Sequence, residues 1–217
     1  MRQKTKRFAE NFARPNVLEP GKEMYERIKG RWREHMFNNS NDLVVELGCG
    51  KGEYTVGLGR RFPGSNFIGI DIKGERLWVG SKMAIDEGLE NVAFLRTQML
   101  FLEKFFEENE VSEMWLTFPD PRPKARDAKR RLTFPRYLDL YRHALQPEGW
   151  FKFKTDNTGL FDYTLELLQS KYPVRNLTYT KDLYRSPMLE EHYGLKTKYE
   201  TIFSEKGETI KYMKFQF

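Results

Sequence analysis

Cysteine, histidine and long apolar runs are scarce in this 217-residue sequence. The single cysteine, Cys49, excludes a disulfide framework, and the widely separated His35, His143 and His192 lack the spacing of a metal site. No apolar run approaches the roughly 20 residues that a membrane-spanning helix needs. The basic first residues are not followed by the apolar segment of a signal peptide. We therefore expect a protein that binds no metal and stays in the cytoplasm.

Acidic residues are nearly absent from one basic stretch. The formal net charge is +6, and residues 122–136 contain Asp127 as their single acid. A second basic cluster lies near the start of the chain, at Arg2, Lys4, Lys6 and Arg7. A solvated surface is the simplest explanation of such charge. Clustering beside aromatic residues, however, favours a polyanionic partner such as a nucleic acid.

Strand and helix patterns alternate along most of the chain. Strands are predicted at 43–47, 65–72, 91–97, 112–118 and 149–156. Helical patterns are predicted between and after them, at 53–62, 74–88, 100–110, 133–145 and 160–171. This alternation predicts βαβ crossovers and therefore an α/β fold with a doubly wound, mainly parallel sheet.

The two ends of the chain depart from this alternation. Residues 1–36 are interpreted as a basic N-terminal arm and lead-in helix, the helical pattern covering 21–37, before a single domain over 37–217. Two further strand candidates lie at 175–183 and 209–217. Because no helix follows the last one, we expect it to be an antiparallel edge strand.

Three glycines follow the first predicted strand, in VVELGCGKG. Gly48, Gly50 and Gly52 let the backbone approach a ligand and direct amide N–H groups at it. The dinucleotide fingerprint G-x-G-x-x-G would have its last glycine at Glu53, so the G-x-G-x-G spacing here differs from it. Glu46, two residues before the first glycine, would repel a pyrophosphate. It suits a cofactor that carries an ammonium group.

A second carboxylate ends the next predicted strand. Asp71 lies twenty-five residues after Glu46, where an acid can accept both hydroxyls of a ribose. Together the two acids favour an adenosyl–amino acid cofactor over a nucleotide diphosphate. The alternative is that the glycines only form a tight turn and that Asp71 caps a helix.

These motifs resemble those of a known family. ELGCGKG followed by GIDIK resembles the first two motifs of class I S-adenosylmethionine-dependent methyltransferases. FPDPRPKARDAKRRL, with the later KTD and TKYE, resembles the bacterial tRNA (guanine-N7-)-methyltransferases from about residue 7 onward. The resemblance implies S-adenosyl-L-methionine as the cofactor and a Rossmann-like fold. It also implies transfer of a methyl group to N7 of a guanosine in the variable loop of tRNA.

The resemblance assigns roles to individual residues. It implies that Glu46, Asp71, Gln98 and Asp120 line the cofactor site, and that Asp120 is the active-site residue. Gln98 departs from the acid usual at its position, although an amide can still accept from the adenine amino group. Substrate contacts are implied at Lys124, Asp156, Thr197, Lys198, Tyr199 and Glu200.

Guanine N7 carries a free lone pair, so its methylation needs no strong base. A carboxylate near the base, as Asp120 would be at the end of the fourth predicted strand, can stabilise the positive charge that develops on the purine. Phosphate contacts are expected from the basic stretch, at Arg126, Lys129, Arg130 and Arg131.

Several alternatives stay open at this stage. Asp120 is also typical of a turn between prolines, and Cys49 fits either turn packing or, less well, the nucleophile of a cytosine methyltransferase. The same fold also serves small-molecule methyltransferases and non-catalytic RNA-binding proteins. A nicotinamide oxidoreductase is disfavoured by Glu46 and the glycine spacing. The sequence does not distinguish a monomer from a homodimer.

Overall fold

The computed structural model describes residues 3–217. Arg2 and the side chain of Lys4, from the predicted basic cluster, lie outside the described part. The strands are β1 (Val17–Leu18), β2 (Asp42–Leu47), β3 (Ser65–Asp71), β4 (Val92–Arg96), β5 (Val111–Thr117), β6 (Leu145–Thr155), β7 (Arg175–Thr180) and β8 (Lys211–Gln216). The α-helices are α1 (Gln3–Ala13), α2 (Glu53–Arg61), α3 (Gly74–Asp86), α4 (Pro135–Ala144), α5 (Thr158–Ser170) and α6 (Lys198–Glu205).

Within residues 3–217, the eight strands form one sheet in the order β1-β4-β3-β2-β5-β6-β8-β7. Neighbouring strands are parallel except at β8, which is antiparallel to both β6 and β7. The predicted mainly parallel sheet with an antiparallel edge strand is confirmed, but the edge strand is β7; the last strand, β8, was expected at the edge and lies instead between β6 and β7. The order reverses between β2 and β5. In open α/β sheets the ligand crevice forms at the carboxyl ends of strands at such a reversal.

Helices cover both faces of the sheet because successive side chains of each strand point to opposite faces. In β2, Val45 and Leu47 pack in one cluster with α4 and α5, while Val44 packs in the other with α2 and α3. Glu46 shares the face of Val44 and is therefore directed at the α2 side. No helix of residues 3–217 is both long and apolar enough to cross a membrane.

The helix predicted over 21–37 is wrong. The chain forms a 3-10 turn at Glu23–Glu26 and a π-helix at Trp32–Phe37. Gly30 interrupts them with a φ of +73°, and its N–H donates to Glu110 across the fold. Of the apolar positions that suggested the helix, Ile28 and Trp32 are nevertheless buried and Met24 and Met36 are partly buried, because short turns can also direct such side chains at the core.

Two other segments also differ from the sequence pattern. The helix predicted at 100–110 is only a 3-10 turn at Met99–Lys104, where the backbone φ and ψ angles of Phe101 lie outside the helical region. The N-terminal arm, where no helix was predicted, contains helix α1, which lies against α3. Asn11 Nδ2 donates to Gly74 O over 2.7 Å, and the guanidinium of Arg7 lies 4.7 Å from the Trp78 ring centre.

Candidate active site

A cavity of about 450 Å³ opens at the carboxyl ends of β2 and β5. Its volume is in the range of small-molecule sites. Its walls come from the end of β2 and the glycine turn, from β5, and from the first turn of α6. The lining residues are Glu46, Gly48, Cys49, Gly50, Lys51, Glu53, Arg76, Thr117, Phe118, Thr197, Lys198, Tyr199 and Ile202.

Glu46 is the buried acid of this cavity. Thr55 donates to its Oε2 from the backbone N–H, over 2.9 Å, and from the hydroxyl, while the Thr117 hydroxyl donates to Oε1 over 2.6 Å. Burial raises the pKa of Glu46 from 4.5 to about 7, although these hydrogen bonds and nearby Lys154 oppose the rise. The cavity therefore holds a carboxyl group that a positively charged ligand would ionise.

The glycine turn joins Glu46 to α2 in a conformation that side chains resist. Gly50 and Gly52 have φ values of +58° and +72°. A Cβ on Gly52 would also lie 2.5 Å from the Phe94 ring. Asp71 stabilises the turn by a hydrogen bond, since its Oδ2 accepts from Gly50 N over 3.1 Å. The Asp71 side chain thus lies beside the cavity and is not among its lining residues.

Gln98 and Asp120 follow the carboxyl ends of β4 and β5 but do not line the cavity. Gln98 is exposed. Asp120 is also largely exposed, and its Oδ2 lies 3.1 Å from the guanidinium of Arg122. Two residues before Asp120, Phe118 adopts a φ of +47° and faces the cavity. The structure therefore places the predicted active-site carboxylate at the rim and not inside.

The first turn of α6 forms the wall opposite the glycine turn. The Thr197 hydroxyl caps α6 by accepting from Glu200 N over 3.0 Å. Lys198 N donates to Glu53 Oε2 over 2.6 Å, which links the start of α6 to the start of α2. Three of the predicted substrate residues, Thr197, Lys198 and Tyr199, thereby reach the same cavity as Glu46.

Aromatic rings border the cavity mouth. The Tyr199 ring lies 5.4 Å from that of Phe118 and stacks on Phe203 at 4.3 Å. The Tyr199 hydroxyl is 3.5 Å from Asp156 Oδ2, so Asp156 lies next to this aromatic group. Such rings can offer a flat face to an unstacked base.

Glu200 is placed differently from its neighbours in the motif. Its side chain is fully buried and faces the sheet. Lys154 donates to its Oε2 over 2.8 Å, and Tyr184 and His192 Nε2 each lie 2.8 Å from its Oε1. Burial would raise the pKa of Glu200, but hydrogen bonds from His192 and Lys154 outweigh it and lower the pKa to about 2. In this conformation Glu200 does not reach the cavity.

The basic stretch forms a surface loop beside the cavity rim, with a 3-10 turn at Ala125–Arg130. Lys124, Arg126, Lys129 and Arg130 are exposed. Arg131 is half-buried instead, since its guanidinium donates to Arg122 O and stacks on the Tyr163 ring at 4.3 Å. This arrangement makes Arg131 a brace for the Asp120 loop.

Sequence reasoning missed several cavity residues. Lys51 and Arg76 add positive charge to the lining, and Thr55 and Thr117 complete the hydrogen bonds of Glu46. Only Lys51 carried a signal, because it lies within the glycine motif. Burial raises the pKa of the Cys49 thiol well above its usual value, which disfavours the thiolate that a nucleophile needs.

Solved methyltransferases share this fold. The 16S rRNA methyltransferase KamB aligns with a TM-score of 0.62 at 16% identity, over 84% of this chain and 91% of that one. An SAM-dependent O-methyltransferase from Thermotoga maritima aligns with a TM-score of 0.56 at 20% identity, over 89% of this chain and 62% of that one. At these identities the likeness concerns the fold alone.

Sequence relatives identify the family. A family model described as "Putative methyltransferase" matches residues 40–213. The tRNA (guanine-N(7)-)-methyltransferase of Cytophaga hutchinsonii is 48% identical over 217 residues, covering 100% of this chain and 98% of that protein. The enzyme of the same name from Bacteroides thetaiotaomicron is 42% identical, covering 98% of this chain and 85% of that protein. The chain belongs to the tRNA (guanine-N7-)-methyltransferase family.

Proposed function

We propose that this protein transfers a methyl group from S-adenosyl-L-methionine to N7 of a guanosine in tRNA, within the variable loop, and that it works in the cytoplasm, where tRNA is used. One observation carries the proposal. The cavity combines the buried Glu46 and the glycine turn on one side with Thr197, Lys198 and Tyr199 on the other. A donor and a base held against these two walls would meet in the same space.

The cavity residues fit the amino acid end of this cofactor. The pKa of Glu46, raised by burial to about 7, indicates a carboxylate without a full counter-charge, and an ammonium group would supply one. Gly50 N already donates to Asp71 Oδ2 and Gly52 N to Cys49 O, so the glycines would serve the cofactor by letting the backbone approach it closely. Asp71 ends β3 and Gln98 follows the neighbouring strand β4, where we propose that they bind the ribose and the adenine.

The cofactor supplies an electrophilic methyl group, and the protein has to align the base with it. Because N7 already has a lone pair, no proton has to be removed. We propose that Asp120 turns from Arg122 into the cavity and stabilises the positive charge that develops on the purine. Phe118, which has an unusual left-handed backbone, sets the direction of this loop.

Recognition of the RNA divides into base and phosphate contacts. The target base would leave its stack and lie against Tyr199, with Asp156 beside it. We propose Lys124, Asp156, Thr197 and Lys198 as further substrate contacts. The exposed Arg126, Lys129 and Arg130 would bind phosphates, and Arg131 would hold the loop in place.

Nucleoside mapping tests this function directly. Purified protein, S-adenosylmethionine and unmodified tRNA are incubated, the RNA is digested, and the product nucleoside is identified by mass spectrometry. We expect N7-methylguanosine from the variable loop, and no methylation of small amines or phenols offered instead. A different nucleoside, or a preference for the small acceptors, would refute the proposal.

A paired substitution tests the proposed role of Asp120. Asp120→Ala is expected to abolish transfer while the circular dichroism spectrum stays close to wild type. Asp86→Ala removes a carboxylate from the exposed end of α3 and is the matched control. Full activity in Asp120→Ala would reject the charge-stabilising role.

A further inference from the structure

A group of buried ionisable side chains lies directly behind the α6 wall of the cavity. The side chains of Lys154, His192 and Glu200 are 1%, 1% and 0% exposed. Because a carboxylate oxygen can only accept, His192 Nε2 and the Tyr184 hydroxyl must both donate to Glu200 Oε1. The Lys154 ammonium donates to the other oxygen, Oε2.

Each partner of Glu200 belongs to a different segment. Lys154 is on β6, Tyr184 is in the 3-10 turn Leu183–Arg185, and His192 ends the turn Pro187–His192. Glu200 itself is in the first turn of α6. A single carboxylate therefore joins the sheet to three consecutive parts of the segment between β7 and β8.

Because α6 is a helix, the attachment of Glu200 to the sheet also fixes the position of the cavity wall. Residues three apart lie on the same face of a helix, and Tyr199 and Ile202 both line the cavity. Glu200 is directed at the sheet from the adjacent face. Any displacement of the Glu200 carboxylate would move Tyr199 and the capping residue Thr197 with it, since Glu200 N donates to Thr197 Oγ1.

We propose that Tyr184, His192 and Lys154 are positioning residues that act through Glu200 to hold Thr197, Lys198 and Tyr199 at the cavity. The inference rests on the proposed function, because the group that these residues position is the base-binding wall. It gives Glu200 an indirect role, in place of a contact with the base. A buried ionic group is a costly way to attach a helix, and its benefit here is a fixed orientation.

Tyr184 and His192 provide the sharpest test, since both contact Glu200 and neither lines the cavity. Tyr184→Phe removes one hydroxyl and keeps the ring. His192→Leu removes the second donor, and His192→Gln restores an N–H donor near the Nε2 position. Tyr179→Phe, on the exposed face of β7, is the matched control.

Steady-state kinetics with tRNA separates a positioning role from a merely structural one. We expect Tyr184→Phe and His192→Leu to raise the KM for tRNA roughly fivefold to tenfold, since each removes a hydrogen bond to a charged group. The kcat at saturating tRNA and the Kd for S-adenosylmethionine should change by less than about twofold, the pattern for lost binding of substrate and transition state alike. His192→Gln should restore most of the KM, and Tyr179→Phe should match wild type.

Melting temperatures measured on the same samples complete the test. Lower stability with an unchanged KM for tRNA in Tyr184→Phe would overturn the inference, because the group would then only hold the fold together. If His192→Leu does not fold, Tyr184→Phe alone decides. Absence of N7-methylguanosine with wild-type protein would instead refute the proposed function, so the two failures are distinguishable.

Discussion

Replacing Glu46 with glutamine is expected to stabilise the cofactor-free protein at neutral and alkaline pH. The native state holds the proton of Glu46 up to a pKa of about 7, whereas the ordinary value is 4.5. Between these values the folded chain therefore binds more protons than the unfolded chain. The free energy of unfolding falls as the pH rises through this window, and a neutral amide removes that loss.

The magnitude follows from the two pKa values. A rise from 4.5 to about 7 corresponds to about 3 kcal/mol of stability lost by the wild type between acidic pH and pH 8. Glutamine can keep the local hydrogen bonds, because its oxygen can accept from Thr55 N while its amino group donates to the Thr117 hydroxyl. The burial of Glu46 leaves little solvent to weaken the effect.

Urea unfolding at pH 4.5, 6, 7 and 8 measures the effect. We expect the difference in free energy of unfolding between Glu46→Gln and wild type to grow by about 3 kcal/mol over this range. Glu26→Gln, at an exposed position, should show no such trend. A difference that is independent of pH would refute the reasoning, since Glu46 would then be ionised throughout. Glu46→Gln should also bind S-adenosylmethionine more weakly. Higher stability together with weaker cofactor binding would show that Glu46 contributes to binding and not to stability.

Three further changes have defined outcomes. Replacing Arg126, Lys129 and Arg130 of the basic loop together with alanine should weaken tRNA binding. The slope of log K against log salt should fall by up to about 0.9 for each phosphate contact that is lost. An unchanged slope would exclude this loop as the phosphate contact. Lys154→Met should lower the free energy of unfolding by about 3–5 kcal/mol, because it leaves Glu200 buried without its cation; a loss below about 1 kcal/mol in urea unfolding would contradict this. Gly52→Ala should reduce thermal stability and cofactor affinity together, since the new Cβ would meet the Phe94 ring; calorimetry measures both.

The sequence predicted the β2–turn–α2 unit well because its signals are local. A β-branched strand, three glycines and an amphipathic helix follow one another without interruption, so the position of Glu46 at the cavity followed from spacing. The partners that set its pKa were not predictable. Thr117 comes from a strand some seventy residues later and meets Glu46 only through the β2–β5 pairing.

Elements whose structure depends on distant contacts were missed. The 21–37 segment has a helical apolar pattern, yet the long-range hydrogen bond from Gly30 N to Glu110 favours two short turns. Helix α6 was missed because it is short and its buried face carries a charge. Glu200 looks like a surface residue in the sequence until Lys154 and His192 are brought to it by the fold.

Because β8 lies between β6 and β7, the order in which the strands are synthesised affects how the cavity is assembled. During synthesis β7 is made before β8, and until β8 arrives β7 has no partner in the sheet. The segment that carries α6 connects these two strands, so its second end is not held in the sheet until then. Unpaired strand edges attract other chains. The α6 wall is therefore the last part of the cavity to be assembled, and a nascent chain halted before β8 would expose unpaired strand edges while the glycine-turn side of the cavity is already made.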